Sequence, residues 1–421
     1  HVLNEREDTY CERVFAPWVD MEEKMREADI PLFALESKDP LKEFDFLGFT
    51  LQYELCYSNV LNMLELAHIP LRASERDDSM PIVIGGGPCA YNPEPVADFF
   101  DLFNIGEGEE MLPEIVALYI KMKESGATKK EFLLEAARTI SGVYVPSLYD
   151  VEYNEDGTVK SYKPNAEGVP TSVKKRIVAD LDTMYFPEAV VMPYLETVQD
   201  RIMLEVFRGC IRGCRFCQAG MIYRPVREKS PETLLRQAKC IYEATGYEEI
   251  SLTSLSISDY TKLPELTDGL IEWTNEKKVN LSLPSLRIDS FTKELMEKVA
   301  SVRASSITFA PEAGTQRLGD HLTLIDDEQS GDAVDTVANR QFRLLIHIDL
   351  ADLDVFIFLG DLFDDGAHHP AGTAPGGEEV HQHRLVTVQD LGFKIFLRNM
   401  QYRHRFFLLF FISGLILPDF L

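Results

Sequence analysis

Three cysteines, Cys210, Cys214 and Cys217, stand in the segment RGCIRGCRFCQAG (208–220) with the spacing CxxxCxxC. Thiolates this close in sequence can wrap one face of a cubane 4Fe–4S cluster and ligate three of its irons. The remaining iron has no protein ligand in the segment, so a small molecule can coordinate there. The neighbouring residues suit that role. Gly209 and Gly213 let the backbone turn tightly round a cluster. Phe216, just before the third cysteine, offers an apolar cover and counts as a cofactor-binding candidate. Arg208, Arg212, Arg215, Arg224, Arg227 and Lys229 surround the loop, with Glu228 as the one acid among them. A cluster with thiolate ligands is anionic, and a local positive field stabilises it. The plainer alternatives are weaker. A structural zinc site wants a fourth ligand, and the next cysteine, Cys240, lies more than twenty residues on in a predicted helix. A bacterial ferredoxin run has different spacing and a fourth cysteine.

The elements that must carry this loop alternate between strand and helix. In the first part, 44–51, 81–84 and 101–105 read as buried strands. Segments 53–67, 109–124 and 129–139 read as helices, the first with Leu55, Val60, Leu61, Leu64 and Ala67 on one side. Alternation of this kind predicts a parallel α/β sheet. Ligands of such sheets lie beyond the strand C-terminal ends, where Gly85-Gly86-Gly87 and Gly106-Glu107-Gly108 fall. Neither glycine run fits a phosphate-binding fingerprint, and both read as tight turns. A hairpin is expected about Asn154-Glu155-Asp156-Gly157, and a boundary in the 190s. A second series follows, with strands at 203–207, 249–255, 280–286 and 306–310. Helices are expected at 231–245 (Ser230 as N-cap), 262–276 and 292–302. Four such units in a row make about two-thirds of a partial barrel.

Length and composition frame this reading. The chain has 421 residues, 45% apolar and 26% charged, ordinary for a globular protein of two or three domains. Its net charge of −27 repels phosphate backbones and anionic membranes at long range, which argues against a general nucleic-acid or membrane partner. Seven cysteines, three of them clustered, are no disulfide framework. Cys11, Cys56, Cys89 and Cys240 read as ordinary thiols. With no signal-peptide pattern, the expectation is a reducing cytoplasm, which also suits an oxygen-sensitive cluster. The run 406–417 is apolar but shorter than the roughly 20 residues a spanning helix needs. The chain starts at His1, mid-pattern, and reads as a fragment.

Beyond Leu318 the character changes. Seven of nine histidines and eleven of 25 phenylalanines lie there, with Lys394 the one lysine, and no convincing strands continue the barrel. A composition break in mid-barrel favours an aberrant reading over a separate domain. His368, His369, His381 and His383 have metal-ligand chemistry, in a loop-like, acid-rich stretch of the tail that reads as aberrant.

On RGCIRGCRFCQAG, SLTSLSISDY (251–260), PSLRIDSF (284–291) and FAPEAGTQRL (309–318), the chain resembles the radical S-adenosylmethionine (SAM) superfamily. Within it, an uncharacterised family with a cobalamin-binding-like domain is also matched by FAPWVDME (15–22), GGGPCAYNPEPVADFFD (85–101) and IGEGEE (105–110). The resemblance covers roughly 10–318. It implies an α/β fold: a truncated Rossmann-like, cobalamin-binding-type domain (1–140), a connector with a hairpin (141–195) and a partial (β/α)6 radical SAM barrel (196–318). Residues 319–421 stay unassigned. It implies a 4Fe–4S cluster held by the three cysteines. SAM would chelate the open iron and be reductively cleaved to a 5′-deoxyadenosyl radical that acts on a substrate the sequence does not identify. By position, Ser254 and Ser256 fall where the SAM amino group is held, Glu312 near the ribose, and Arg287 where an anion pairs. A solvated or structural loop role remains the rival for each. No catalytic residue is assigned. An electron donor such as flavodoxin or ferredoxin is the expected partner. Cobalamin stays open as a ligand, although its DxHxxG signature is absent and His68 reads as a packing or surface residue. Two rivals stand beside the enzyme: a non-catalytic, truncated or chimeric cluster-binding protein, and, more weakly, an RNA methylthiotransferase.

Overall fold

The computed structural model describes residues 1–192 and 200–284, and beyond them only the backbone of four short strands. The chain divides into two compact units, the first running from His1 to Pro187 and the second from Glu188 onward.

The first unit is a three-layer α/β sandwich. Its elements are α1 (Val19–Ala28), β1 (Phe46–Thr50), α2 (Tyr57–Leu66), β2 (Ile82–Gly86), β3 (Leu102–Asn104), α3 (Gly108–Glu124), α4 (Lys129–Thr139) and β4 (Val143–Tyr144). A hairpin of β5 (Tyr149–Tyr153) and β6 (Val159–Pro164) follows. The sheet order is β1-β2-β3-β4, with β1, β2 and β3 parallel and β4 antiparallel to β3. Successive strand residues point to opposite faces, and both faces are covered. Leu47, Phe49, Val83, Phe103 and Tyr144 share one core with Met25 of α1 and Val60, Met63 and Leu64 of α2. Ile82, Ile84, Leu102 and Val143 share the other with Met111 and Ile115 of α3 and Phe132, Leu133 and Ala136 of α4. This is why the strands read as continuous apolar runs rather than as alternating ones. Asp101, at the start of β3, ties the unit together. Its carboxylate accepts from the Val83 N–H at 2.8 Å and pairs with the Arg76 and Lys129 side chains, both at 3.0 Å and all largely buried.

Leu55 departs from expectation. The α-helix starts only at Tyr57, and Glu54–Cys56 forms a tighter 3₁₀ turn that shifts the helical phase. Leu55 is left 77% exposed. Gly85 and Gly86 are strand residues, and only Gly87 turns; Gly108 opens α3.

The second unit holds the cysteines. It comprises β7 (Ile202–Glu205), β8 (Phe207–Arg208), α5 (Ala219–Ile222), β9 (Arg227–Glu228), α6 (Pro231–Thr245), β10 (Glu249–Thr253), α7 (Leu263–Lys277) and β11 (Asn280–Ser282). The sheet order is β11-β10-β7, all parallel, so α6 and α7 are crossover helices. Ser230 caps α6, its hydroxyl accepting from the Thr233 N–H, and Gly246 closes the helix in the left-handed region. Ile202 and Leu204, Leu234 and Ala238, Ile250 and Leu252, and Leu266 and Leu270 are buried between sheet and helices. Farther on, β12 (Leu286–Arg287) pairs in parallel with β13 (Phe309–Ala310). Strands β14 (Leu345–Leu350) and β15 (Leu353–Phe358) pair antiparallel. These two strands lie beyond Leu318, where the sequence reading expects no continuation of the barrel, and they pair as a local antiparallel hairpin. The helix expected at 292–302, the histidine pairs of the tail and the apolar run 406–417 lie outside the described residues. Among the described residues no helix is long and apolar enough to cross a membrane.

Candidate functional site

The cysteine loop grows from the end of the first strand of the second unit. Strands β8 and β9 pair antiparallel, Phe207 with Glu228 and Arg208 with Arg227, and residues 209–226 form the excursion between them. Gly209 (φ 91°) and Gly213 (φ 64°) both lie in the left-handed region, so the tight folding expected of them is a feature of the backbone. Cys210, Cys214 and Cys217 are half-buried and none is disulfide-bonded. The Cys217 N–H donates to the Cys214 carbonyl at 3.0 Å, and the Gly220 N–H donates to Cys217 Sγ at 3.4 Å, a contact that strengthens when the sulfur is a thiolate. Among the described residues no three His, Cys, Asp or Glu side chains gather about a point as a single ion requires. Phe216 stands 57% exposed beside the third cysteine.

The end of β10 lies beside the strand that leads into the cysteine loop. Thr253 pairs in register with Glu205, the last residue of β7, so the two strand ends are neighbours. The hydroxyl oxygens of Thr253, Ser254 and Ser256 are all buried and have no hydrogen-bond partner. Buried polar groups are almost always paired, and each orphan costs about 1–3 kcal/mol. Thr253, Ser254 and Ser256 thus place three such hydroxyls within four positions at one strand end. The residues present thus fit both groups that the motif implies: thiols for a cluster, and buried hydroxyls for a molecule carrying amino, carboxylate and ribose groups.

The positive surround is more balanced than the sequence indicates. Glu205 accepts from Arg208 Nε at 2.6 Å and Nη2 at 3.1 Å, and lies 4.0 Å from the buried Lys229 ammonium. Asp259 accepts from Arg212 Nη2 at 2.5 Å and Nε at 3.0 Å. The acids come from a strand end and from the 3₁₀ turn Ile257–Asp259. Sequence reading missed Glu205, Thr253 and Asp259. For Glu205 a signal existed in its spacing three residues before Arg208, and for Thr253 in its place beside Ser254. Of the remaining candidates, Arg287 is the second residue of β12, while its side chain and Glu312 lie outside the described residues.

Two family models match the chain. The family described as "Radical SAM proteins, N-terminal" matches residues 1–146, and the "Radical SAM superfamily" matches residues 204–350. The second match runs past Leu318, where the motif resemblance stops. An uncharacterised protein of Methanocaldococcus jannaschii is 29% identical over 71% of this chain and 56% of its own length. A putative methylthiotransferase of the same organism is 24% identical over 28% of this chain and 27% of its own. The threonylcarbamoyladenosine tRNA methylthiotransferase of Bacillus subtilis is 26% identical over 34% of this chain and 31% of its own. The chain thus spans about half the length, or less, of these relatives. Among solved structures, the cobalamin-dependent SAM radical enzyme OxsB is similar at 18% identity and a TM-score of 0.44, over 68% of this chain and 38% of that one. The radical SAM methyltransferase TsrM of Kitasatospora setae follows at 13% and 0.43, over 71% and 54%.

A cobalamin held through a histidine does not fit the first unit's strand ends. Apart from the terminal His1, His68 is the one histidine there. It sits just past α2, whose C-terminus leads into β2 and so lies at the opposite edge of the sheet, 3.5 Å from Asp29. At the strand C-terminal edge the chain lies on itself instead. Arg176 forms a bridge with Gly106, and its guanidinium reaches Glu110 and Glu114 of α3 at 2.9 and 2.8 Å.

Proposed function

From the premise that the chain belongs to the radical SAM superfamily, we propose that it is an iron–sulfur enzyme of that class, using SAM on a substrate still to be identified. One observation carries the reading. The CxxxCxxC loop is held at the C-terminal edge of a parallel sheet, next to a strand end bearing three orphaned buried hydroxyls. When bound and reduced, a cluster held by Cys210, Cys214 and Cys217 would supply the single electron for reductive cleavage of SAM, releasing methionine and leaving hydrogen-abstracting chemistry for the substrate. The chain's own residues position and shield. Cys210, Cys214 and Cys217 would hold the cluster through three of its irons. The Gly220 N–H bond to Cys217 Sγ offsets part of the thiolate charge. The hydroxyls of Ser254 and Ser256, with Thr253, receive the polar end of SAM in place of water. Flavodoxin or ferredoxin is the proposed electron donor, and a reducing cytoplasm the proposed setting.

Anaerobic reconstitution tests this reading. The chain should take up about four irons and four sulfides, and Cys210→Ala, Cys214→Ala or Cys217→Ala should each remove most of them. A wild-type chain that takes up no cluster, or cysteine variants that load equally, would overturn it. A second reading, methylthio transfer to RNA, is supported by the two methylthiotransferases among the similar proteins and opposed by the net charge of −27. Methylthio-nucleosides formed on RNA by the reconstituted chain would decide for it.

A further inference from the structure

We propose that the Arg212–Asp259 ion pair is a positioning device, locking the cysteine loop to the loop after β10 so that the SAM-binding hydroxyls keep a fixed place relative to the open iron. The inference deepens the radical SAM reading and rests on it. Arg212 lies between Cys210 and Cys214, so its side chain leaves the loop at the ligands themselves. The fork-like, two-point contact with Asp259 is 16% and 8% exposed at the two side chains. Asp259 in turn donates its backbone N–H to the Ser256 carbonyl at 2.9 Å, and Ser256 carries one of the orphaned hydroxyls. A short rigid path therefore runs from the cluster ligands to the polar strand end.

Two arguments separate positioning from mere support. A buried ion pair contributes little net stability, because desolvation offsets the attraction; what a bidentate guanidinium–carboxylate contact supplies is direction and distance. The two loops are also joined elsewhere. Tyr260 donates its hydroxyl to the Lys229 carbonyl at 2.8 Å and stacks on Phe207, and Glu228 accepts from the Thr261 N–H at 3.0 Å. Those ties hold the base of the β8–β9 hairpin, leaving the fold supported when the pair is removed.

The test uses the full chain, reconstituted anaerobically, as wild type, as the apolar double variant Arg212→Met/Asp259→Leu, and as Arg212→Lys. Iron content is measured first, then the electron paramagnetic resonance of the reduced cluster as SAM is titrated. All three should load iron equally. The SAM-dependent spectral change should need about tenfold to a hundredfold more SAM in the double variant, the scale on which a small misplacement weakens a preorganised site. Arg212→Lys, which keeps the charge but loses the fork, should fall between. Equal SAM dependence in wild type and variants overturns the inference. So does loss of the cluster from either variant, which would make the pair a support of the loop. A wild-type cluster that ignores SAM would instead remove the radical SAM reading, and this inference with it.

Discussion

At Gly209 the backbone turns with φ 91°, and a Cβ there would meet the Pro225 carbonyl oxygen at 2.8 Å and that of Tyr223 at 3.0 Å. Both contacts are backbone, so no side chain can swing away. Gly209→Ala should therefore cost about 1–3 kcal/mol of local strain, confined to the loop that carries the ligands. The expected outcome is a folded chain with wild-type far-ultraviolet circular dichroism that retains less iron after desalting. Full retention would show that the turn has slack. At this scale the sequence was readable where the chemistry is local: CxxxCxxC and its two glycines sit within a few positions of one another. It was not readable where partners are distant. Arg212 and Asp259 stand 47 positions apart, and tertiary contacts, the parallel pairing of β10 with β7 among them, bring them together.

Among the elements, α4 shows how a helix start responds to pH. Thr128 and Glu131 form a reciprocal capping box, and the hydrogen bonds from Thr128 hold the Glu131 carboxyl below its ordinary value of 4.5. A carboxyl depressed on folding contributes stability that is complete above its unfolded value and lost as pH falls through the lower folded one. The wild-type melting temperature should thus decline below about pH 4.5 more steeply than that of Glu131→Gln, whose amide does not titrate. Parallel pH profiles would contradict this. The capping pattern T-K-K-E and the Ser230 cap are local signals that sequence reading can use. The phase of α2 was misread at Leu55 because a 3₁₀ turn and a first α-helical turn present the same residue pattern to a periodicity argument.

For the whole molecule, the α/β class was legible because both faces of the first sheet are covered, which makes its strands continuous apolar runs alternating with amphipathic helices. Past Leu318 the legibility ended, since the composition shift masked both the β14–β15 hairpin and a family match that continues to residue 350. A hairpin needs only local pairing and leaves none of the strand–helix rhythm on which the earlier reading relied. The proposed function turns on one open iron of the cluster, to which this chain would deliver SAM. The most direct test is electron paramagnetic resonance of the anaerobically reconstituted, reduced wild-type chain with and without SAM. The expected result is a 4Fe–4S signal whose g-values change when SAM is added. A cluster signal that SAM leaves unchanged would contradict it, and would favour a protein that keeps the cysteine loop without the chemistry.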